Sequence, residues 1–225
     1  MQIPSDQLIY SSHLVSLRCL VVSEMQNNVY LFTNKISGQQ LLVDVADNFN
    51  AISSWVQAVA QEDGPLPQAR VTDLVTTHSH WDHIRALPQA VSTWSPRTWA
   101  GAADAPAIAQ QEGVQVEQLL TGGERLTLAG LPFEVIALRG HTPGSVALVY
   151  RDEEQAPLIV TGDSLFPGGV GKTQSPQDFA QLLGDVEARL FQVFEDASLV
   201  LPGHGPSTTL GAERPQLEDW RQRGW

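Results

Sequence analysis

Three imidazoles and a carboxylate fall within six positions of this chain: His78, His80, Asp82 and His83, spaced H-x-H-x-D-H. Neutral imidazoles and carboxylates are the donor set of zinc and other first-row metals. Three further residues of the same chemical types stand apart in the sequence. His141 lies in Gly140-His141-Thr142-Pro143-Gly144, His204 lies in Pro202-Gly203-His204-Gly205-Pro206, and Asp163 closes the run Ile159-Val160-Thr161-Gly162-Asp163. The glycines and prolines mark tight turns after strand-like runs. Ordinary loop and capping roles would account for an isolated H-x-H. They do not account for five of the chain's six histidines and two aspartates, all at strand ends; a metal site does.

The elements that must position these residues are legible around them. The apolar run from Val71 to Thr77 reads as a buried strand, and Ile84-Arg85-Ala86-Leu87 begins a helical pattern, so the motif sits on a strand-to-helix turn. Upstream, strands are expected over residues 14–22, 29–34 and 40–45, with turns at Gln26-Asn27-Asn28 and Ser37-Gly38. The third runs into Asp44-Val45-Ala46-Asp47-Asn48, whose acidic groups either orient metal-bound imidazoles or face solvent as turn residues. Ile52, Trp55, Val56 and Val59 recur at helical spacing, which predicts a helix over 50–61 with an Asn cap. Gly64-Pro65-Leu66-Pro67 is a loop.

After the motif, helix and strand alternate through residue 112. Trp81, between two candidate ligands, is placed at the site, and Trp94 and Trp99 are placed in packing. Strands follow over 125–128, 133–138, 145–150 and 157–161, the last two joined by the acidic turn Asp152-Glu153-Glu154. Ser175-Pro176-Gln177-Asp178 opens a helix with proline first and an acidic residue completing a capping box. Phe179, Leu182, Leu183, Val186 and Leu190 form its buried stripe. A last strand, 198–201, delivers His204. Two β-rich runs, each closed by helices, imply an α/β protein with one domain over 1–225.

The 225 residues are 42% hydrophobic, enough for a sizeable core. A net charge of −12 argues against a nucleic-acid partner. The single Cys19 lies in an apolar strand-like run and reads as packing. No apolar run is long enough to span a bilayer, and the N-terminal residues lack the pattern of a secretory leader. A cytoplasmic protein acting on a small molecule, away from membranes, is the expectation.

The ordered set His78, His80, Asp82, His83, His141, Asp163 and His204 resembles the metallo-β-lactamase superfamily of metallohydrolases, over nearly the whole chain. Gly162-Asp163-Ser164-Leu165-Phe166 and Gly171-Lys172 are similar to the glyoxalase II (hydroxyacylglutathione hydrolase) branch. The resemblance implies a four-layer αββα sandwich and two divalent metal ions, zinc first, with iron or manganese as the other choices. It assigns His78, His80 and His141 to one metal and Asp82, His83 and His204 to the second. Asp163 bridges, which makes Asp82 and Asp163 the catalytic carboxylates. It also implies that Lys172 holds the anionic, thiol-bearing part of a substrate, with Trp81 beside it. The activity implied is hydrolysis of a thioester or related ester by a shared hydroxide.

Other chemistries fit less well. Gly168-Gly169-Val170-Gly171-Lys172-Thr173 suggests a phosphate-binding loop, but the required first glycine is Phe166. No G-x-S-x-G elbow exists, so serine acyl transfer is disfavoured. Within the family, thiol-ligand β-lactamases carry Cys where Asp163 stands, and flavo-diiron proteins carry an acidic residue where His80 stands. Mono-iron persulfide dioxygenases, with ligands equivalent to His78, His141 and Asp163, are the nearer alternative, as are lactonase-like hydrolases. The dioxygenases typically have an Arg-rich segment after the Gly-Asp, where this chain has Phe166 and Lys172. A metal-binding protein without activity is the remaining, non-enzymatic reading. Full-length glyoxalase II members add a helical C-terminal domain that helps hold glutathione, whereas 21 residues follow His204 here. The expectation is therefore thioester hydrolysis without commitment to glutathione.

Overall fold

Apolar residues on both faces of successive strands dictate the layering of this chain. The computed structural model describes residues 6–62, 69–152 and 155–224. The Gly64–Pro67 loop and Glu153-Glu154 of the acidic turn lie outside the described residues. The chain begins with an antiparallel meander: β1 (Asp6–Ser11), β2 (Val15–Val22), β3 (Asn27–Asn34) and β4 (Gln39–Val43). Next come α1 (Phe49–Glu62), β5 (Arg70–Thr76), α2 (Trp81–Ile84), α3 (Leu87–Trp94), β6 (Arg97–Gly101), α4 (Ala105–Glu112) and β7 (Gln118–Leu120). The strands β5, β6 and β7 add in parallel, completing a seven-stranded sheet in sequence order.

The second half repeats the theme. β8 (Arg125–Leu128), β9 (Leu131–Ala137), β10 (Val146–Asp152) and β11 (Gln155–Gly162) form an antiparallel meander. A small hairpin, β12 (Leu165–Phe166) and β13 (Gly169–Val170), precedes α5 (Pro176–Val186) and a π-helical turn, Glu187–Phe191. β14 (Leu199–Pro202) then pairs in parallel with β11, and β15 (Thr208–Thr209) closes a six-stranded sheet. α6 (Leu210–Glu213) and α7 (Leu217–Arg223) follow.

Side-chain alternation sorts the strands into three apolar layers. In β2, Val15, Leu17 and Cys19 join Phe133, Val146 and Leu148 of the other sheet, whereas Leu20 and Val22 face α1 through Ile52 and Val56. The outer face of the second sheet, with Ile159 and Val200, packs on Phe179, Leu182 and Leu190. Strands buried on both faces read as nearly continuous apolar runs. The result is the four-layer αββα sandwich. Ser175 caps α5 by accepting from Asp178 N–H at 3.1 Å, with Pro176 at the first helical position, as its sequence predicts. Ala51 N–H donates to Asn48 Oδ1 at 3.3 Å, which is the Asn cap of α1.

Some expectations need correction. β1, β7 and the β12–β13 hairpin were not foreseen, because each is short and mixes polar with apolar residues. Asn27 and Asn28 are not a turn but the buried start of β3. The helix after the metal motif starts at Trp81 rather than Ile84, so the motif itself provides its first turn.

Candidate metal centre

Every candidate ligand is carried at a strand end on one edge of the sandwich. The turn after β5 carries His78 and His80, and Asp82 and His83 lie on the first turn of α2. His141 stands between β9 and β10, Asp163 directly after β11, and His204 after β14. Two of the turns must be glycine for the backbones to approach. Gly162 has φ of 51°, and a Cβ there would meet Thr77 Oγ1 at 2.5 Å. A Cβ on Gly203 would meet Asp163 Oδ1 and, at 2.7 Å, His83 Cε1.

Two triads result. Ligand atoms of His78, His80 and His141 lie within 4.8 Å of one another, and so do those of Asp82, His83 and His204. Asp163 lies between them. Its Oδ2 is 4.0 Å from His78 Nε2, 3.6 Å from His141 Nε2 and 3.5 Å from His204 Nε2, and its Oδ1 is 3.4 Å from His83 Nε2. Asp82 Oδ2 is 3.2 Å from His204 Nε2 and 3.6 Å from His83 Nε2. The seven residues singled out from the sequence form one cluster.

Hydrogen bonds on the far side of each ring decide which nitrogen faces inward. His83 Nδ1 donates to Asp44 Oδ2 at 2.9 Å, His141 Nδ1 to the Lys172 carbonyl at 2.7 Å, and His204 Nδ1 to the Met25 carbonyl at 2.8 Å. The Thr77 hydroxyl gives its proton to Asp44 Oδ2 at 2.8 Å, so it accepts from His78 Nδ1 at 3.0 Å. Four Nε2 lone pairs are thereby directed at two carboxylates. Asp44, with φ of 58°, also accepts from Thr77 N–H. Of the two aspartates weighed at the end of β4, Asp44 orients the site, whereas Asp47 binds Arg85 on the surface.

This donor set fits bound cations. His78 Nε2, His141 Nε2 and Asp163 Oδ1 are buried without a hydrogen-bond partner, an arrangement that is costly unless something binds them. His83 Nε2 and His204 Nε2 face each other at 3.1 Å with both Nδ1 atoms committed as donors. Burial acts to lower the pKa of each, but Asp163, together with Asp44 for His83 and Asp82 for His204, outweighs it and raises both to about 10. Burial pushes the Asp163 carboxyl up, yet contacts with His204 and His83 hold it well below the usual range. Burial lowers His78 and His141. Positive charge is strongly favoured among these atoms, and divalent cations supply it where deprotonated ligands converge.

The side chains of the two expected substrate contacts are exposed. Trp81 is 48% exposed, with the Arg85 guanidinium 4.7 Å above its ring. Lys172 is exposed and lines a cleft of about 630 Å³ with Thr173, Gln174, Ser175 and Gly224. Trp94 packs on Phe49, and Trp99 joins the inter-sheet core, its Nε1 donating to Asp73.

Besides the Thr77 hydroxyl, sequence reasoning missed two residues. Asn27 Nδ2 donates to Asp82 Oδ2 at 3.0 Å, and buried Asp104 accepts from Ser79 N–H, Thr142 Oγ1 and Gly144 N–H. Asp104 thus ties the His80 turn to the His141 loop. Neither carries a local signal, because each sits far along the chain from what it touches.

Comparison with known proteins agrees with this geometry. The family model described as "Metallo-beta-lactamase superfamily" matches residues 23–204. A relative named "Probable metallo-hydrolase YqgX", from Bacillus subtilis, is 29% identical over 213 residues, covering 88% of this chain and 94% of its own. "Hydroxyacylglutathione hydrolase GloC", from Haemophilus influenzae, is 31% identical over 156 residues, covering 63% of this chain and 72% of its own. The solved structure of TTHA1623 "in a di-iron-bound form" is 27% identical with a TM-score of 0.65, covering 87% of this chain and 96% of that one.

Proposed function

The chain belongs to the metallo-beta-lactamase superfamily, and on that premise we propose that it is a dinuclear metal-dependent hydrolase of small-molecule thioesters or related esters. His78, His80 and His141 hold one divalent cation, Asp82, His83 and His204 hold the second, and Asp163 is shared. Zinc is the metal of this reading, with iron or manganese as alternatives. Such a cation pair supplies a hydroxide nucleophile at neutral pH and Lewis acidity toward the acyl carbonyl. The chain's own contribution is orientation. Asp44 and the Thr77 hydroxyl hold His78 and His83 as Nδ1–H tautomers, and two backbone carbonyls do the same for His141 and His204. The Lys172 ammonium attracts the anionic arm of the substrate to the rim of a strongly acidic protein, and Trp81 forms an apolar wall.

The observation that supports this reading most is the pair of triads on either side of Asp163. Similarity to a hydroxyacylglutathione hydrolase favours the thioester. Metal analysis of the purified protein, run beside a panel of thioesters and esters, tests it. About two metal ions per chain and loss of hydrolysis on chelation are expected. Full activity after stripping to trace metal would end the reading. Oxygen uptake with a glutathione persulfide faster than thioester cleavage would replace it with a dioxygenase.

A further inference from the structure

The two triads share Asp163 and the Asp44–Thr77 pair, which holds both His83 and His78, but their remaining supports come from different parts of the chain. His78 and His141 are oriented by Thr77 and by the Lys172 carbonyl, and Asp104 fixes the turns on which His80 and His141 stand. The second triad leans further on the end of the β2–β3 connection and the start of β3. Asn27 bridges to His204, Met25 O accepts from His204 Nδ1, and Asn28 N–H donates to the Gly203 carbonyl at 2.7 Å. Asn28 Nδ2 donates to the Pro202 and Gly205 carbonyls, each at 2.9 Å. Within the segment from Ser23 to Asn28, Asn27 alone among the described residues reaches a candidate ligand with its side chain. It is fully buried, and its Nδ2 lies 3.0 Å from Asp82 Oδ2 and 3.4 Å from His204 Nε2. Its Oδ1 accepts from the Ser23 hydroxyl, which fixes the carboxamide with its N–H groups toward the cluster.

Asp82 Oδ2 also lies 3.2 Å from His204 Nε2 and 3.6 Å from His83 Nε2. One lone pair of that oxygen takes the Asn27 N–H, and the other remains directed at the two imidazoles. A carboxylate with one oxygen held in this way cannot rotate to offer a different atom. Without the donor, Asp82 would be free to turn toward solvent, since its side chain is 10% exposed.

Resting on the two-cation reading above, we propose that Asn27, at the start of β3, is a positioning residue for the cation of Asp82, His83 and His204 alone, so that its hydrogen bond sets occupancy of that position and not of the other. Among the described residues, the segment from Ser23 to Asn28 makes no hydrogen bond or ion pair with His78, His80 or His141. Loss of an outer hydrogen-bond partner of a metal ligand typically weakens metal affinity by about 10–100-fold, and that loss is expected at one position only.

The experiment compares metal content of the full chain, dialysed against buffered free zinc, in wild type, Asn27→Ala and Asn27→Leu. Asn27→Leu keeps the bulk without the donor and separates the hydrogen bond from packing. Wild type should hold two ions per chain. Both variants should hold one tightly and the second with an affinity lower by about 10–100-fold. Cobalt substitution gives a second readout, because the absorption of the first equivalent should match wild type and that of the second should not. Two ions held as in wild type, or both lost together from a folded variant, would overturn the proposal. Should both Asn27 variants fail to fold, Ser23→Ala decides, with a smaller loss expected at the same single position and an equal or absent loss counting against it. Wild type without bound metal would instead sink the two-cation reading.

Discussion

At the scale of single residues, the site depends most on Asp163, the one carboxylate among the described residues within reach of four imidazole nitrogens. Asp163→Ala removes the only anion between the triads, so two cations would face each other unshielded. Metal content should fall below two and kcat should drop by more than about 100-fold, beyond the usual loss for an outer partner. Two tightly held metals with near-normal turnover would contradict the bridging role. Lys172 belongs to a different class, because it is exposed and its backbone, not its ammonium, orients His141. Lys172→Ala should raise KM for a carboxylate-bearing thioester roughly two- to fivefold, the range of an exposed ion pair, with kcat little changed. A neutral thioester should be unaffected, and equal losses for both substrates would return Lys172 to the surface.

At the scale of elements, the β2–β3 hairpin and the turn after β14 act as one unit. Tyr30 Oη donates to the Pro202 carbonyl at 2.7 Å, and Asn28 Nδ2 reaches the same oxygen and the Gly205 carbonyl. These groups are buried, so the cost of removing them depends on what is left unpaired. Tyr30→Phe leaves the Pro202 carbonyl with its Asn28 bond and should cost about 1 kcal/mol. Asn28→Ala removes two bonds at once, and about 2–3 kcal/mol is expected from two net contributions near the upper end of the usual range. Urea unfolding of the metal-free variants measures both. A Tyr30→Phe loss equal to or larger than that of Asn28→Ala would show that this account of the clamp is wrong.

At the scale of the whole molecule, the charges of the site make stability depend on pH in opposite senses with and without metal. In the metal-free protein the His83 and His204 pKa values rise from 6.5 to about 10. Their stabilising contribution is complete below pH 6.5 and is lost as pH rises toward 10. Asp163 is depressed below its ordinary 3.8, so its contribution is present above that pH and is lost as pH falls through the depressed value. Metal-free protein should therefore melt at a lower temperature at pH 9 than at pH 6. Bound cations need the same nitrogens deprotonated, so metal-loaded protein should gain with pH instead. Thermal melts with and without chelator at both pH values test this, and a metal-dependent gap that narrows from pH 6 to pH 9 would refute it. No described helix is long and apolar enough to cross a membrane.

The local pattern of residues is sufficient for the α/β class and for naming all seven clustered residues, whereas the four-layer arrangement is what the family resemblance implies. Alternating and continuous apolar runs report which strand faces are buried, and the H-x-H-x-D-H spacing on a strand-to-helix turn is itself a local geometry. The capping box at Ser175 and the apolar stripe of α5 were readable for the same reason, since both are contacts within a few positions. The sequence does not separate the two roles open to Asp44, because an acidic residue at a strand end looks the same whether it faces an imidazole or water. Asn27 and Asp104 carry no local signal, and the composition around Asn27 suggests a turn where the chain forms the start of β3. The partners of Asn27 lie 55 and 177 residues away, and those of Asp104 lie 25 to 40 residues away. Only the stacking of the two sheets brings those segments to one edge, so only the folded chain decides which polar groups end up buried against the ligands.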